Sequence, residues 1–329
     1  MRRRVAAIGD GRVGTDGDDG HHARGCVQRP MLSKLFRSRP QVTAPAAPAV
    51  PDGTVVWAVG DIHGRLDLLQ PLVEAMVADL HASTATRKVV VFLGDYIDRG
   101  PDSRGVLRLL SGLSAVQGVE WRFLKGNHEQ AMLGFLDDPS AGPKWCEYGG
   151  DNALRSYGLR VPDLAHRAEA WARVAADLRH KLTAREIEFL ENLELSVTVG
   201  DYFFCHAGAR PGVALDRQAA QDLMWIRQPF LNSQTAFEQV VVHGHTPCKA
   251  VQADSRRIGI DTKAYDSGIL TGLRLEGRER ALVQSVGRHR APGARFGGEE
   301  FLPADGAAVI LREERLPANE AALGPAAGV

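Results

Sequence analysis

The sequence has few cysteines, and none of them belongs to a CxxC pair. The four cysteines, at positions 26, 146, 205 and 248, are far apart in a chain of 329 residues. Without such a pair, neither a thiolate zinc site nor a disulfide framework is indicated. Hydrophobic residues make up 44% of the chain, which is ample for a sizeable buried core. These features predict an ordinary globular protein in a reducing, cytoplasmic environment.

An excess of either charge is also absent. The 40 Lys and Arg residues balance 40 Asp and Glu residues, so bulk charge gives no reason to expect a nucleic acid or a membrane surface as partner. Apolar runs such as 89–93 are much too short to span a bilayer, and the basic start Arg2–Arg4 is followed by few apolar residues before Asp10. We therefore expect neither a membrane span nor a secretory signal, and any bound anion must be held locally.

Composition divides the chain into three parts. Residues 1–52 are rich in Gly, Arg, Asp, Ala and Pro and show no apolar periodicity, so we expect a disordered extension. Within it, Gly9–Gly14 matches GxGxxG, but the following residues 15–20 are poor helix formers, which argues against a dinucleotide site. We predict a folded domain over 53–279. From 280 to 329 the Gly, Pro, Ala and Arg content rises again, which predicts a loose tail.

From Thr54 onwards, short β-rich runs alternate with helical patterns, which is typical of a layered α/β architecture. The patterns predict strands at 55–59, 88–93, 120–124, 202–205 and 239–242, helices at 65–80, 103–111, 129–136 and 184–192, and a mainly helical insertion at 137–183. Trp57, Trp121 and Trp225 are interpreted first as packing residues. A Gly and a polar cluster follow each of the first three strands. Because ligands bind beyond the carboxyl ends of strands in open α/β sheets, these clusters can converge on one site.

Five short polar segments lie at the predicted strand ends. They are Gly60–Gly64 (GDIHG), Gly94–Gly100 (GDYIDRG), Gly126–Glu129 (GNHE), His206–Gly208 (HAG) and His243–His245 (HGH). Taken singly, each is weak evidence, because a lone Asp at a strand end is usually a turn or helix cap and a lone His is usually a hydrogen-bonding residue.

In this order, the segments closely resemble the hallmark motifs of the phosphoprotein phosphatase family of metallophosphatases. The resemblance covers residues 54 to about 277, and the segments 222–227 and 241–247 are similar to those of compact bacterial and bacteriophage lambda-type serine/threonine phosphatases. It implies the α/β fold of calcineurin-like metallophosphoesterases, a four-layer α/β/β/α sandwich of two mixed sheets flanked by helices.

The resemblance also implies a dinuclear metal site. Its ligands would be Asp61, His63 and Asp95 for the first ion, and Asp95, Asn127, His206 and His245 for the second, with Asp95 as the bridge. Oxygen and imidazole donors without thiolate suit borderline ions, so we expect two divalent ions, Mn²⁺ first, with Fe or Zn as alternatives. Two ions about 3.5–4 Å apart can share a water, lower its pKa towards neutrality and so supply a hydroxide that attacks the phosphorus directly.

Four further residues receive roles from the same resemblance. Arg99 and Arg227 correspond to arginines that bind the substrate phosphate, for which the planar guanidinium is well suited. His128 is expected to protonate the leaving oxygen, with Asp98 as its carboxylate partner. One departure is notable. Residues 258–265 resemble the closing strand of the family, but Lys263 stands where a Gly is usual.

The resulting functional prediction is a serine/threonine protein phosphatase that acts on a phosphorylated protein or peptide. The alternative is a symmetrical bis(5'-nucleosyl)-tetraphosphatase, which shares the scaffold and a similar run at 100–103, whereas residues 96–99 favour the protein phosphatases. A metal-free binding protein built on the same fold is disfavoured, since every expected ligand type is present. The sequence leaves the substrate and the oligomeric state open.

Overall fold

The computed structural model describes residues 47–163, 168–287, 300–301 and 309–316. The predictions made for residues 1–46, namely disorder and the rejected GxGxxG site, lie outside this described part. Residues 47–52 are inside it and are attached to the sheets. The Val50 side chain is buried, its N–H donates to the carbonyl of Gly277 at 2.9 Å, and the N–H of Ala49 donates to the Asp201 carboxylate at 2.9 Å. The folded domain therefore begins a few residues before the predicted boundary at 53.

Twelve strands and ten α-helices are found in the described residues. The strands are β1 Thr54–Val59, β2 Arg87–Phe92, β3 Glu120–Phe123, β4 Ser196–Val199, β5 Tyr202–Cys205, β6 Val240–His243, β7 Gln252–Ala253, β8 Arg257–Gly259, β9 Ile269–Glu276, β10 Glu279–Val286, β11 Glu300–Phe301 and β12 Val309–Arg315. The helices are α1 Leu66–Ala82, α2 Ser103–Leu113, α3 Asn127–Asp137, α4 Gly142–Glu147, α5 Gly150–Ser156, α6 Ala168–Lys181, α7 Ala184–Glu191, α8 Ala220–Trp225, α9 Gln228–Leu231 and α10 Ala264–Ser267. Short 3-10 turns lie at Pro139–Ala141 and Leu215–Arg217.

The five predicted strands and four predicted helices are confirmed as β1, β2, β3, β5, β6, α1, α2, α3 and α7, with ends shifted by at most two residues. Helices α4, α5 and α6 occupy much of the segment 137–183. The closing strand predicted over 258–265 is wrong beyond Gly259, because the chain turns at Lys263 into α10.

The strands form two mixed sheets. The larger has the order β11-β12-β10-β9-β1-β2-β3, in which β1, β2 and β3 are parallel and the other pairs are antiparallel. The smaller has the order β4-β5-β6-β8-β7, in which β5, β6 and β8 are parallel and the two edge strands are antiparallel. Three parallel strands in each sheet therefore end at a common edge, and each of those edges is where the polar motifs begin.

Three apolar clusters define four layers. Alternate residues of β1 face opposite sides: Trp57 and its neighbours pack against helices such as α1, whereas Val56 and Ala58 pack against Phe204 and Val242 of the smaller sheet. A third cluster covers the outer face of the smaller sheet with residues in and beside α8 and α9. The predicted sandwich of helices, sheet, sheet and helices is confirmed, and both faces of the parallel strands are buried, as such strands require.

The loose tail predicted from residue 280 is wrong for its first residues. Glu279–Val286 is a full strand that pairs with β9 on one side and β12 on the other. Leu282 faces the core between the sheets, while Val283 packs on the helical side. The Gly, Pro, Ala and Arg content rises only after Val286, so the tail was predicted to begin too early, and the charged Glu279 and Arg280 obscured the strand. The rest of the predicted tail, apart from 300–301 and 309–316, lies outside the described residues.

Among the described residues, no helix is both long enough and apolar enough to cross a bilayer.

Candidate metal centre

The ends of the parallel strands bring the five motifs together. The six predicted metal ligands all follow such strands or begin the next helix, and their relative exposure is between 0 and 8%. They are Asp61, His63, Asp95, Asn127, His206 and His245. Residues that are 184 positions apart in the chain are in contact here, since the N–H of His245 donates to the carboxylate of Asp61 at 3.0 Å. The sheet topology therefore assembles one buried polar centre.

Within the described part of the chain, two groups of three side chains have the spacing of a metal site, and they share Asp95. One group is His63, Asp95 and His128, and the other is Asp95, His206 and His245. His63 Nε2 lies 3.5 Å from Asp95 Oδ2, and His206 Nε2 lies 3.3 Å from Asp95 Oδ1. The two oxygens of Asp95 thus face two different imidazoles, and both groups depend on this one carboxylate.

The ligands predicted for the first ion, Asp61, His63 and Asp95, differ in one member from the first of these groups. Asp61 belongs to neither, although its carboxylate accepts a hydrogen bond from the backbone of His245; burial, and then the nearby Asp261 carboxylate, raise the pKa of Asp61. The first group contains His128 instead, whose Nε2 is 3.8 Å from Asp95 Oδ2. Asn127 lies beside the second group, with its Oδ1 3.1 Å from His206 Nε2.

The hydrogen bonds of His63 and His206 aim the Nε2 atoms of both rings at Asp95. His63 Nδ1 lies 2.8 Å from the carbonyl of Ile97, and His206 Nδ1 lies 2.9 Å from the carbonyl of Leu93. An Nδ1–H that donates to a carbonyl makes Nε2 of the neutral ring an acceptor, and it faces the acceptor oxygens of Asp95. Backbone carbonyls that orient imidazoles in this way are typical of metal ligands.

His245 supports the same conclusion. Its Nε2 is buried and has no hydrogen-bond partner among the described residues. Burial lowers the pKa of His245 to about 2, so the ring is neutral and keeps a lone pair. In contrast, the Asp95 carboxylate overcomes burial and raises the pKa of His206 to about 9. A proton on His206 therefore balances Asp95 in the metal-free chain, and a divalent cation would supply that positive charge in its place and take up the free lone pair of His245.

A histidine–carboxylate pair lies beside these groups. His128 Nδ1 is 2.6 Å from Asp98 Oδ2, and the same oxygen accepts a hydrogen bond from Trp145 Nε1 at 2.8 Å. Asp98 is fully buried, and burial raises its pKa. The carboxylates of Asp95 and Asp98 oppose the effect of burial on His128 and raise its pKa. Trp145 was placed by the sequence only in a helical insertion, so its contact with Asp98 is an addition from the structure.

The two predicted phosphate-binding arginines lie on different sides of the centre. Arg99 Nη1 is 3.1 Å from His63 Nε2, and its Nε donates to the carbonyl of Tyr148 at 3.4 Å. Arg227 is exposed at the start of α9 and is near enough to His245 for its charge to lower the pKa of that ring. Both guanidinium groups therefore border the buried carboxylate and imidazole side chains of the centre.

The backbone of the centre is strained. Among the described residues, six other than glycine have positive φ, namely His63, Asp95, Asp98, Arg99, His245 and Lys263, with φ between 48° and 71°. A residue with a β-carbon in this conformation costs about 1–2 kcal/mol. Five of the six are residues that the motifs single out, so the strain is concentrated where ligands and charges must be aimed.

The buried carboxylate of Glu129 connects two motif loops by hydrogen bonds to their backbones. The sequence did not reveal this role. The carboxylate is fully buried and accepts hydrogen bonds from the N–H groups of Asp95 at 2.9 Å, Tyr96 at 2.8 Å and Gly126 at 3.0 Å. The loops approach so closely that a β-carbon on Gly94 would lie 2.6 Å from the nitrogen of Gly126. Motif spacing alone cannot show which residue fills the space between two loops.

Two aromatic side chains, Trp225 and Tyr265, lie beside histidines of the metal centre. Trp225, interpreted as a packing residue, is 37% exposed, donates to Gln130 Oε1 at 2.7 Å and has its ring 6.3 Å from that of His245. Tyr265 stands edge-to-face on His63, with ring centroids 5.2 Å apart. Trp57, by contrast, is buried as expected.

The similarity to known proteins agrees with this geometry. The family model described as "Calcineurin-like phosphoesterase" matches residues 54–268. "Serine/threonine-protein phosphatase 1" of Salmonella typhimurium is 29% identical over 228 residues, which cover 67% of this chain and 92% of that protein.

Other relatives carry a second kind of name. "Bis(5'-nucleosyl)-tetraphosphatase PrpE [asymmetrical]" of Bacillus subtilis is 29% identical over 251 residues, covering 69% of this chain and 93% of that protein. "Bis(5'-nucleosyl)-tetraphosphatase, symmetrical" of Legionella pneumophila strain Corby is 30% identical over 283 residues, covering 71% and 98%. The resemblance of the motifs to metallophosphatases is thus confirmed, and the chain belongs to the calcineurin-like phosphoesterase family.

Proposed function

We propose that this protein is a phosphomonoesterase that works with two divalent metal ions, and that phosphorylated serine and threonine side chains are its substrates. The observation that supports this most directly is Asp95, whose two carboxylate oxygens face separate histidines in two groups of possible ligands. When bound there, two ions lower the pKa of a shared water and stabilise the charge that develops on the phosphoryl oxygens.

The donors of the chain divide between the two ions as the motifs suggest. Asp61, His63 and Asp95 would hold one, while Asp95, Asn127, His206 and His245 would hold the other. The fit rests on donor chemistry: carboxylate, amide and imidazole atoms suit Mn²⁺, Fe²⁺ and Zn²⁺, and we propose Mn²⁺ as the native ion. The unpaired Nε2 of His245 is the buried atom that most needs such a partner.

The side chains around the donors would bind the phosphate and protonate the leaving group. Arg99 and Arg227 offer planar guanidinium groups to the phosphoryl oxygens. His128 would donate the proton from its Nε2, since its Nδ1 is held by Asp98 at 2.6 Å. The carboxylates of Asp95 and Asp98 raise the pKa of His128, which keeps the acid charged near neutral pH.

The alternative substrate is a dinucleoside tetraphosphate cleaved symmetrically. The relatives favour it as much as the protein phosphatases, since both names occur at 29–30% identity over about two thirds of this chain. Residues 96–99 (YIDR) favour the protein phosphatases in the resemblance on which we base the proposal. The two candidates use the same centre and differ in what surrounds the scissile phosphate.

One experiment tests both the metal-dependent hydrolysis of phosphate esters and the choice of substrate. The full chain is treated with a chelator, Mn²⁺ is restored, and the rates on a phosphoserine peptide, p-nitrophenyl phosphate and diadenosine tetraphosphate are compared. We expect Mn²⁺-dependent hydrolysis, with the highest kcat/KM on the phosphopeptide. A higher kcat/KM on diadenosine tetraphosphate would favour the alternative. No hydrolysis of any of the three with Mn²⁺, Fe²⁺ or Zn²⁺ would refute the phosphoesterase proposal.

A further inference from the structure

Lys263 has a backbone conformation that does not suit a lysine. Its φ of 60° and ψ of 49° lie in the left-handed region, which glycine adopts without steric cost. The turn around it enforces this conformation: its N–H donates to Asp261 Oδ1 at 2.8 Å, and its carbonyl accepts from the N–H groups of Asp266 and Ser267, both at 2.9 Å. Because the backbone would be better served by glycine, any benefit of lysine must lie in its side chain.

The side chain of Lys263 reaches the rim of the metal centre. Its Nζ lies 5.6 Å from the centroid of the Tyr265 ring. The same ring has Arg99 Cζ at 4.8 Å and the ring of His63 at 5.2 Å. The ring of Tyr265 is thus a common neighbour of the ammonium group, of a residue proposed to bind phosphate and of a proposed metal ligand. Lys263 is also the one residue among the six strained positions that no motif predicted.

The ammonium group is available to an incoming anion. Its partner is the carboxylate of Asp266, with Nζ and Oδ2 2.9 Å apart, but the two side chains are 40% and 63% exposed. Exposed pairs of this kind contribute little and are screened by salt, so a substrate can replace Asp266 at small cost. The Asp266 hydrogen bond raises the pKa of Lys263, and the lysine is therefore charged at neutral pH.

We propose that Lys263 determines specificity by binding a second anionic group of the substrate, a phosphate or carboxylate adjacent to the scissile phosphate. This inference rests on the proposed function. Arg99 and Arg227 flank the centre where the scissile phosphate would lie, whereas the point charge of Lys263 lies near the Tyr265 ring, which also neighbours Arg99. A monoester with a single phosphate cannot offer a second anion to Lys263. A polyphosphate, or a phosphopeptide with acidic neighbours, can.

Three substitutions separate the charge of Lys263 from its backbone. Lys263→Gln removes the charge and keeps a long side chain, Lys263→Gly removes both charge and strain, and Lys263→Arg keeps the charge. Lys181→Gln, on the exposed surface of α6, is the matched control for the change in net charge. Because Gly suits the turn, Lys263→Gly should be folded and at least as heat-stable as the native chain.

Selectivity is measured on Mn²⁺-loaded full-length protein with matched substrates. One pair is a phosphoserine peptide flanked by Asp and the same peptide flanked by Asn, and the other is diadenosine tetraphosphate and p-nitrophenyl phosphate. For Gln and Gly at 263, we expect kcat/KM to fall about five- to tenfold on the doubly anionic member of a pair, mostly through KM, and to change less than twofold on the other. Lys263→Arg and Lys181→Gln should retain the native preference.

The two pairs identify the source of the second anion. A selective loss in the peptide pair supports a carboxylate, and one in the nucleotide pair supports a phosphate. Equal changes on both members of each pair, or an effect of Lys263→Gly that Lys263→Gln does not reproduce, would overturn the inference and leave the proposed function intact. Failure of the native chain to hydrolyse any of the four substrates would instead overturn the proposed function, and this inference with it.

Discussion

Replacing Glu129 by Gln tests whether the buried carboxylate holds the two motif loops in place. Glu129 Oε2 accepts from the N–H groups of Asp95 and Gly126, and Oε1 accepts from that of Tyr96. A glutamine can place its single oxygen at only one of these positions. Its NH₂ group then faces at least one backbone N–H, and two donors point at each other.

The expected loss of stability follows from this mismatch. A buried donor left without a partner costs about 1–3 kcal/mol, and the remaining bonds become neutral and weaker. Against this, burial and the Asp95 carboxylate raise the pKa of Glu129 to about 7, so the substitution also removes the cost of burying a charge. We expect a net loss of about 2 kcal/mol, which lowers Tm by about 4–8 °C in a domain of this size.

The assay combines thermal unfolding of the metal-free protein with calorimetric titration of Mn²⁺. Because the backbone of Asp95 is held by Glu129, we expect Mn²⁺ affinity to fall about tenfold, the lower end for residues that support a ligand. Glu186→Gln is the matched control. Glu186 is also buried, and accepts from the N–H and hydroxyl of Thr183, the residue that caps the N-terminus of α7. It should lower Tm and leave Mn²⁺ affinity unchanged. Equal Mn²⁺ affinities for Glu129→Gln and the native chain would refute the positioning role.

Three further substitutions probe the proposed chemistry. Asp95→Asn should bind less than two equivalents of Mn²⁺ per chain and lose more than about a thousandfold in kcat, as measured by metal analysis and steady-state rates; full stoichiometry would argue against the bridge. His128→Asn should lower kcat about 10²- to 10⁴-fold on alkyl phosphoesters but much less on aryl phosphoesters, whose leaving groups need little protonation; equal losses would reject the acid role. Arg99→Ala should weaken inhibition by inorganic phosphate about tenfold or more, and an unchanged inhibition constant would exclude Arg99 from phosphate binding.

Local patterns were sufficient for most of the architecture. Strand β1 is a nearly continuous apolar run that is buried on both faces, and α1 repeats its buried positions every three to four residues, so both are visible in the chain itself. Strand β10 was missed because only a short apolar run, at 281–283, follows the charged pair Glu279 and Arg280, and because its stability comes from strands on both sides of it. Pairing partners that are distant in sequence leave no local pattern.

The sequence by itself determined which side chains can supply the chemistry, because their types and order at strand ends are properties of the chain. Only the tertiary structure decided how they meet: that Asp95 lies between two imidazoles, that Trp145 binds Asp98, that Glu129 fills the space between two loops, and that Lys263 reaches Tyr265. The physical reason is that contacts within about 3–6 Å depend on how two sheets pack and where their parallel strands end. Those distances are set by the whole fold, and no single segment of the sequence contains them.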